Sequence, residues 1–395
     1  MGDGLNVVAA DALEHPSEPT IATIADAARR HGTLYLARHG ARSEIARAMD
    51  VTREFYALPL DERMSIAARG AQDFGYRGAG HRAQALTLTR TPEPHPLFGS
   101  IRWPARPAGF QAVIEGFLDR MYPIAVRVLS AIARSLDLAP DYFDSSFGRG
   151  AIENLQLRLY DAQAPYSPMP LAAHSDPPPI TLIAQDDVGG LDSLSEGSWI
   201  PVSPIEDTLV VQFGTMMARW TDDRYPANVH RVRSAEGASR YSIVYNLLPR
   251  RDALIERLPS CRSSSASSYV EPLTLDAFLG ANLPMQAPPA KPKHEGALDE
   301  GTLAGCRLVV QRGSAGLWSL DRASRADAIV TLRLRAVEQP IDLEISRAQQ
   351  GRRYYRSVGG FGFSYRDSIR DPSLFAILDR LIPGFAALLA PSFDA

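Results

Sequence analysis

Cysteine is almost missing: the chain has two in 395 residues, Cys261 and Cys306. Two thiols that far apart cannot build a thiolate zinc site, and a lone disulfide does not fit a reducing compartment, so both read as unpaired structural residues. No charge of one sign accumulates. Lys and Arg total 42 against 45 Asp and Glu, a formal net charge of −3. This offers neither a basic footprint for nucleic acid nor a charge run for a membrane face. No apolar stretch approaches the ~20 residues that cross a bilayer, and the opening MGDGLNVVAADALEHPSEPT is unlike a secretion signal. A cytoplasmic protein is expected, binding neither nucleic acid nor membrane. What is present is ordinary globular composition, 45% hydrophobic and 22% charged, with length enough for two domains.

The first part reads as helices around a strand. PTIATIADAARRHG has helical apolar spacing and a Gly stop, and TLYLA is a strand. SEIARAMDVTREFYALP is a second helix, with Ser43 as N-cap and Pro59 past its end. GFQAVIEGFLDRMYPIAVRVLSAIARSLDL predicts one long amphipathic helix disturbed at Pro123. From Asn154 the period becomes two: Leu155, Leu157 and Leu159 share one face of NLQLRLY, and Asn154, Gln156, Arg158 and Tyr160 the other. PITLIAQ, LDSLSEG, GSWIPVSP, DTLVVQFG, NVHRVRS and RYSIVYNLLP follow as strands with no helix between them, which predicts an antiparallel barrel or double sheet.

The expected division is a helical and strand region over 1–150, a β core over 151–281, a Pro-rich linker over 282–300 and a small α+β module over 301–395. In the module, Arg333 and Arg335 could face Asp342 and Glu344 across a turn at Pro340, and DPSLFAILDRLIPGFAALLA closes the chain as a helix. The module could enclose a lipid-like ligand, dock a carrier protein or join two copies as a homo-oligomer. The simplest alternative is a stabilising appendage.

Chemistry concentrates in LAAHSDPPPITLIAQ. His174 and Asp176 are two apart on an extended segment and leave the same face, giving neighbouring imidazole and carboxylate ligands. RYPANVHRV adds His230, 54 residues after Asp176. Two His and one carboxylate on one face of an octahedron leave positions open, an arrangement suited to Fe(II) that must hold a chelating cosubstrate and O₂. Ten residues on, Arg240 and Ser242 also share a face and can grip a carboxylate, with Tyr160 as a further partner.

These runs, His174-Ser-Asp176, His230-Arg-Val and Arg240-Tyr-Ser242, resemble the 2-oxoglutarate- and iron(II)-dependent dioxygenases, in particular their isopenicillin-N-synthase-like branch. HGTLYLARHG, FYALPLDER, GYRGAG and DDVGGLDSLSEGSWIPVSPIEDTLVVQFG extend the likeness in order over about 5–280. The resemblance implies a mainly β fold with flanking helices, a double-stranded β-helix (jelly roll, cupin-like). It implies Fe(II) on His174, Asp176 and His230, and 2-oxoglutarate on Arg240, Ser242 and Tyr160. O₂ would be consumed, succinate and CO₂ released, and a C–H bond of a small molecule oxidised by hydroxylation, desaturation, epoxidation or cyclisation, with natural-product biosynthesis as the expected role. Relatives that halogenate leave the Asp176 position open for halide; this chain does not.

The chain departs from the family at Arg38, where Asn is usual, at Asp161, where Pro is usual, and at Arg158, often Asn or Thr. The extra cation Arg158, with Gln156 beside it, is expected to bind an acidic group of the substrate; Tyr76 and His81 lie where the family's substrate-facing loop begins. Besides a non-catalytic, metal-free cupin-like binding protein, which lone histidines alone would not exclude, two alternatives remain. One is an Fe(II)/O₂ oxidase of the same fold that dispenses with 2-oxoglutarate, its Arg-x-Ser pair holding the substrate's own carboxylate. The other is a histidine phosphatase. LYLARHGARSE has the strand, the His39 nucleophile and the flanking Arg38 and Arg42 of one, but its late histidines read better as ligands (His174, His230) or linker (His294), and 154–250 reads as consecutive strands where a phosphatase alternates α and β. Met216, Met217 and Trp220 read as packing.

Overall fold

The computed structural model describes residues 4–282 apart from 69–73, 92–100, 149, 165–169, 235–236, 263–268 and 270, and beyond 282 only short strands. Two units separate, Met1–Leu279 and Gly280–Ala395.

The first unit runs β1 (Val7–Ala9), a 3-10 turn, α1 (Glu18–Arg30), β2 (Thr33–Ala37), α2 (Arg42–Ala57), α3 (Leu60–Met64), β3 (Tyr76–Arg77), β4 (Ala83–Arg90), α4 (Phe110–Ser135) and α5 (Asp144–Phe147). There follow β5 (Ile152–Tyr160), β6 (Leu171–His174), β7 (Ile180–Gln185), β8 (Leu191–Ser195), β9 (Ser198–Pro201), β10 (Thr208–Phe213), α6 (Thr215–Trp220), β11 (Val229–Val232) and β12 (Arg240–Leu248). An eight-stranded sheet has the order β1-β2-β10-β7-β12-β5-β4-β3, and a four-stranded sheet the order β6-β11-β8-β9. The pairings are antiparallel except β1 on β2. The fold is sheet-rich with helices, as expected.

Local rules account for the helices. Ser17 caps α1 by accepting from the Thr20 N–H, and Gly32, at φ +60°, ends it with its N–H on the Ala27 carbonyl. A Cβ at Gly32 would stand 3.1 Å from the Asn228 backbone, so the turn needs glycine for space as well as conformation. α2 starts two residues earlier than the sequence suggests. Its N-cap is Ala41, and the Ser43 hydroxyl donates to Glu44 instead of capping. α4 runs unbroken through Pro123, which is exposed, so the carbonyl it leaves unpaired can bond water. Among the described residues no helix is long and apolar enough to cross a membrane.

Two strand expectations need correction. AQALTLTR, passed over in the sequence, is β4 and pairs with β5 along its whole length. The run from β5 to β12 is also not free of helix: α6 lies between β10 and β11, and its Trp220 stacks on Phe143 with ring centroids 4.8 Å apart. Met216 and Met217 are fully buried packing residues. Cys261 is buried and free.

In the second unit, Trp318–Ala323, Ile329–Arg335, Pro340–Arg347, Arg353–Val358 and Ser364–Arg366 form an antiparallel sheet in chain order. Arg333 stands opposite Asp342, but Arg335 pairs with Pro340 and Glu344 with Thr331, so one of the two expected charge pairs is in register. Of the linker expected over 282–300, Asn282 ends a short helix (Leu275–Asn282), and 283–300, like the closing helix, lie outside the described residues.

Candidate functional site

β6 ends at His174, and the following turn carries Asp176. β11 brings His230 directly opposite His174 in the four-stranded sheet, with ring centroids 4.2 Å apart. The turn is held by the start of α6: the Thr215 N–H donates to the Asp176 carbonyl at 2.8 Å. A Cβ at Gly214 would fall 1.9 Å from the Pro178 carbonyl oxygen and 2.4 Å from that of Asp176, so only glycine lets the two segments close.

The three side chains present ligand atoms within 4.8 Å of one another, and all three residues are buried. His174 Nε2 is 3.8 Å from Asp176 Oδ1, and His230 Nε2 is 3.9 Å from Asp176 Oδ2. A shared ion at about 2 Å per bond can draw such a set together. The donor chemistry fits. His174 Nδ1 lies 2.8 Å from the Ala172 carbonyl, so Nδ1 carries the proton and Nε2 offers its lone pair inward. Burial, then neighbouring His230, pushes His174 down to about 3, and burial lowers His230 as well, so both imidazoles are neutral at physiological pH. Burial works against charge on Asp176, but His230, His174 and the Thr181 hydroxyl outweigh it and hold the carboxyl below its ordinary value. Two neutral imidazoles and one carboxylate are what a divalent ion requires.

Register assembles a second cluster. Arg240 pairs with Tyr160, and Ser242 stands between Arg158 on β5 and Gln185 on β7. Arg240 is 2% exposed. Its guanidinium donates to Ser242 Oγ at 3.2 Å and Gln185 Oε1 at 2.9 Å, with Cζ 5.1 Å from the Tyr160 ring centroid. Its Nε has no hydrogen-bond partner, and no carboxylate pairs with it among the described residues. Burial lowers its pKa, with Tyr160 and Asp186 opposing. A buried cation that no carboxylate touches, with Asp186 acting only at a distance, can serve as an anion site, because the charge is poorly compensated in low dielectric. Gln185 was not among the expected residues. The signal was its last position in PITLIAQ, which only pairing with β12 makes meaningful.

Arg158 and Gln156 join the site. Both lie on the inward face of β5, Arg158 is 4% exposed, and its Nη2 donates to Gln156 Oε1. Its charge reaches all three candidate ligands. Tyr76 does not join. It pairs with Leu86, which pairs with Leu157, so its ring is on the opposite face of the sheet. There it donates to Gln84 Oε1 at 2.5 Å, accepts from Arg63 Nη1 at 3.0 Å and packs edge-on to Phe55. His81 is exposed in the β3–β4 turn. His39 is buried, its Nδ1 accepts from the Ala41 N–H, and the neighbouring Arg38 and Arg42 pair with Asp11 and Glu206. The phosphatase-like triplet is a structural turn.

Comparison with known proteins agrees with this geometry. A model of the 2OG-Fe(II) oxygenase superfamily matches residues 152–249, and one of the non-haem dioxygenase N-terminal region, described from morphine synthesis, matches residues 5–93. The 2-oxoglutarate-Fe(II) type oxidoreductase hxnY of Emericella nidulans is 30% identical over 259 residues, covering 58% of this chain and 74% of that protein. The chain belongs to the Fe(II)/2-oxoglutarate-dependent dioxygenases. This dioxygenase is also similar to the homoarginine-6-hydroxylase 2-ODD-233 of Oryza sativa subsp. japonica, at 26% identity over 60% of this chain and 80% of that one. Among solved structures, a full-length Neurospora crassa protein in complex with alpha-KG matches with a TM-score of 0.62 and 25% identity, covering 71% of this chain and 97% of that chain. The dioxygenase is an oxidoreductase that uses Fe(II) and 2-oxoglutarate, and its relatives act on small molecules.

Proposed function

We propose that the dioxygenase hydroxylates an unactivated C–H bond of a small carboxylic acid, with His174, Asp176 and His230 as the iron ligands. The observation that carries this is the conjunction of the three converging donors with a buried Arg240 that no carboxylate touches among the described residues. In this reading the two sheets are the halves of a jelly roll enclosing both groups. Arg240 and Ser242, with Tyr160, hold the remote carboxylate of 2-oxoglutarate by charge-assisted hydrogen bonds. The ion supplies O₂ activation; the protein supplies geometry and exclusion of water. The overall balance is substrate, O₂ and 2-oxoglutarate going to hydroxylated substrate, succinate and CO₂.

Arg158 takes the substrate's acidic group, with Gln156 orienting its guanidinium. The homoarginine-6-hydroxylase among the relatives, named for an amino acid, favours a carboxylate-bearing substrate. Natural-product biosynthesis is the setting proposed. Residues 1–150 and 151–281 together form the catalytic unit, 282–300 a linker and 301–395 an appendage, so a chain cut at about residue 285 retains full activity on the true substrate unless the appendage recognises substrate, a carrier protein or a second copy.

The test is a panel of small carboxylic acids and amino acids, offered with Fe(II), O₂ and 2-oxoglutarate and scored for succinate and oxidised product together. One succinate per product is expected. Product without succinate would favour the 2-oxoglutarate-independent oxidase, and product only from substrates lacking a carboxylate would overturn the acidic-substrate reading.

A further inference from the structure

Six uncharged polar side chains lie in a straight row across the main sheet. Thr89 pairs with Asn154, Asn154 with Asn246, Asn246 with Thr181, Thr181 with Gln212, and Gln212 with Thr33. Directly paired residues share a face, and alternation along β5 puts this face on the side of Gln156, Arg158 and Tyr160. All six are buried, none more than 7% exposed. In the next row on the same face Val244, Ile183 and Val210 are apolar and Gln156 and Thr87 polar, so on β12, β7 and β10 the row is followed by apolar side chains. Burying amides and hydroxyls in a line is unfavourable unless they bond one another.

Four of the six, Thr89, Asn154, Asn246 and Thr181, bond in sequence and end on the candidate iron ligand, while Thr33 donates to the Val211 carbonyl and the Gln212 amide is left without a partner. Asn154 Nδ2 is 2.9 Å from Thr89 Oγ1, and the Asn246 and Asn154 amides meet at 3.3 Å. Thr181 Oγ1 is 2.9 Å from the Asn246 amide and 2.7 Å from Asp176 Oδ2. Thr181 has one hydrogen, and an ionised carboxylate only accepts, so that hydrogen goes to Asp176. Asn246 must then turn its NH₂ toward Thr181, which turns Asn154 by the same half rotation, an exchange of O and N that leaves every heavy-atom distance in place. The row becomes one donor chain: Thr89 to Asn154 to Asn246 to Thr181 to Asp176. Each bond polarises the next in the same direction, and its strength arrives at the carboxylate.

We propose that Thr181, oriented by Asn246 and Asn154, engages Asp176 Oδ2 and so keeps Asp176 a one-oxygen ligand through Oδ1. This rests on the iron-ligand reading above. Three protein donors leave the positions that a chelating cosubstrate and O₂ need; a carboxylate free to rotate would bring a second oxygen to the metal and occupy one of them. Thr181 and Asn246 are positioning residues.

The test compares the full-length wild type, Thr181→Val, Thr181→Ser and Asn246→Ala under anaerobic conditions. Fe(II) affinity is measured by calorimetry, and 2-oxoglutarate affinity by the visible charge-transfer absorption of the Fe(II)–cosubstrate complex. Loss of such an outer contact typically changes affinity by about 10–100-fold. Thr181→Val is expected to bind Fe(II) within about threefold of wild type, since a second oxygen replaces what is lost, and to bind 2-oxoglutarate about tenfold or more weakly. Thr181→Ser restores it. Asn246→Ala gives an intermediate loss and serves if the valine variant does not fold. Wild-type cosubstrate affinity in Thr181→Val, or Fe(II) and cosubstrate affinity falling in parallel, overturns the proposal. Failure of the iron-ligand reading is separate: His230→Ala would then bind Fe(II) as the wild type does.

Discussion

Strand β5 shows two chemistries on its two faces. Outward, Leu155, Leu157 and Leu159 meet the helical layer. Leu157 lies under α2, whose Tyr56 donates to the Leu157 carbonyl at 2.7 Å, and Tyr56 packs 6.2 Å from the ring of Tyr241 on β12. Inward, Asn154, Gln156, Arg158 and Tyr160 line the row of candidate ligand-binding groups. All but Gln156 are less than 9% exposed, so accessibility hardly distinguishes the faces. Burial of apolar groups is self-sufficient. Burial of amides and a guanidinium requires partners, and here the partners converge on the candidate metal and anion sites. A strand that alternates Leu with polar residues usually has one wet face; when both are dry, the polar face marks a site.

The contrast can be broken in steps. Inward, His230→Ala or Asp176→Ala should abolish Fe(II) binding and lower succinate formation by about 10³-fold or more, measured by calorimetry and product assay. Arg240→Ala should leave Fe(II) binding intact and weaken 2-oxoglutarate by about 100-fold, because a buried charge-assisted contact to a carboxylate disappears. A cosubstrate titration that superimposes on wild type would remove Arg240 from the anchor. Outward, Leu157→Ala should cost about 2–5 kcal/mol of stability by leaving a cavity, read from denaturant midpoints, while metal and cosubstrate affinities stay put. If affinity moved and stability did not, the two faces would not be separable.

Smaller effects sharpen the comparison. Arg158→Ala should raise the substrate KM by about tenfold with kcat little changed, the signature of lost ground-state contact; an unaltered KM would end the role given to it. The mildest effect concerns pH. His174 titrates at about 3 in the fold, below its ordinary value of 6.5, because burial and His230 disfavour its charge. The unfolded chain therefore takes up the proton first as pH falls. The stability this neutral imidazole contributes is present above about 6.5 and is lost through the window down to about 3. The denaturation midpoint of metal-free protein should decline across that window, and His174→Gln should flatten the decline. A flat wild-type profile would remove His174 as its source.

Much of this was legible beforehand. Strict alternation in NLQLRLY, His174 two before Asp176 and Arg240 two before Ser242 are local patterns, and side-chain direction along an extended chain follows from backbone geometry. Other features had no local signature. α6 is six residues wedged between strands, too short for a helical period to declare itself. Tyr76 was placed at the substrate by its position in GYRGAG, yet a two-residue strand pairing with Leu86 turns it to the helical side. Gln185 and the Thr89-to-Thr181 row are scattered over four strands and align only through pairing.

The sequence alone determined the inventory: which donors exist, which pairs of them share a face, and where the long helices and strands run. Tertiary structure decided the company each residue keeps. His230 meets His174 because β11 pairs with β6 in that register at this point, although the pairing shifts by a residue before Val232 meets Leu171; a slip of one residue at His230 would turn it to the far side of the sheet. The reason is that a strand's own geometry sets the direction of its side chains, whereas its neighbours and their alignment are chosen by contacts distant in the chain, which no short window contains.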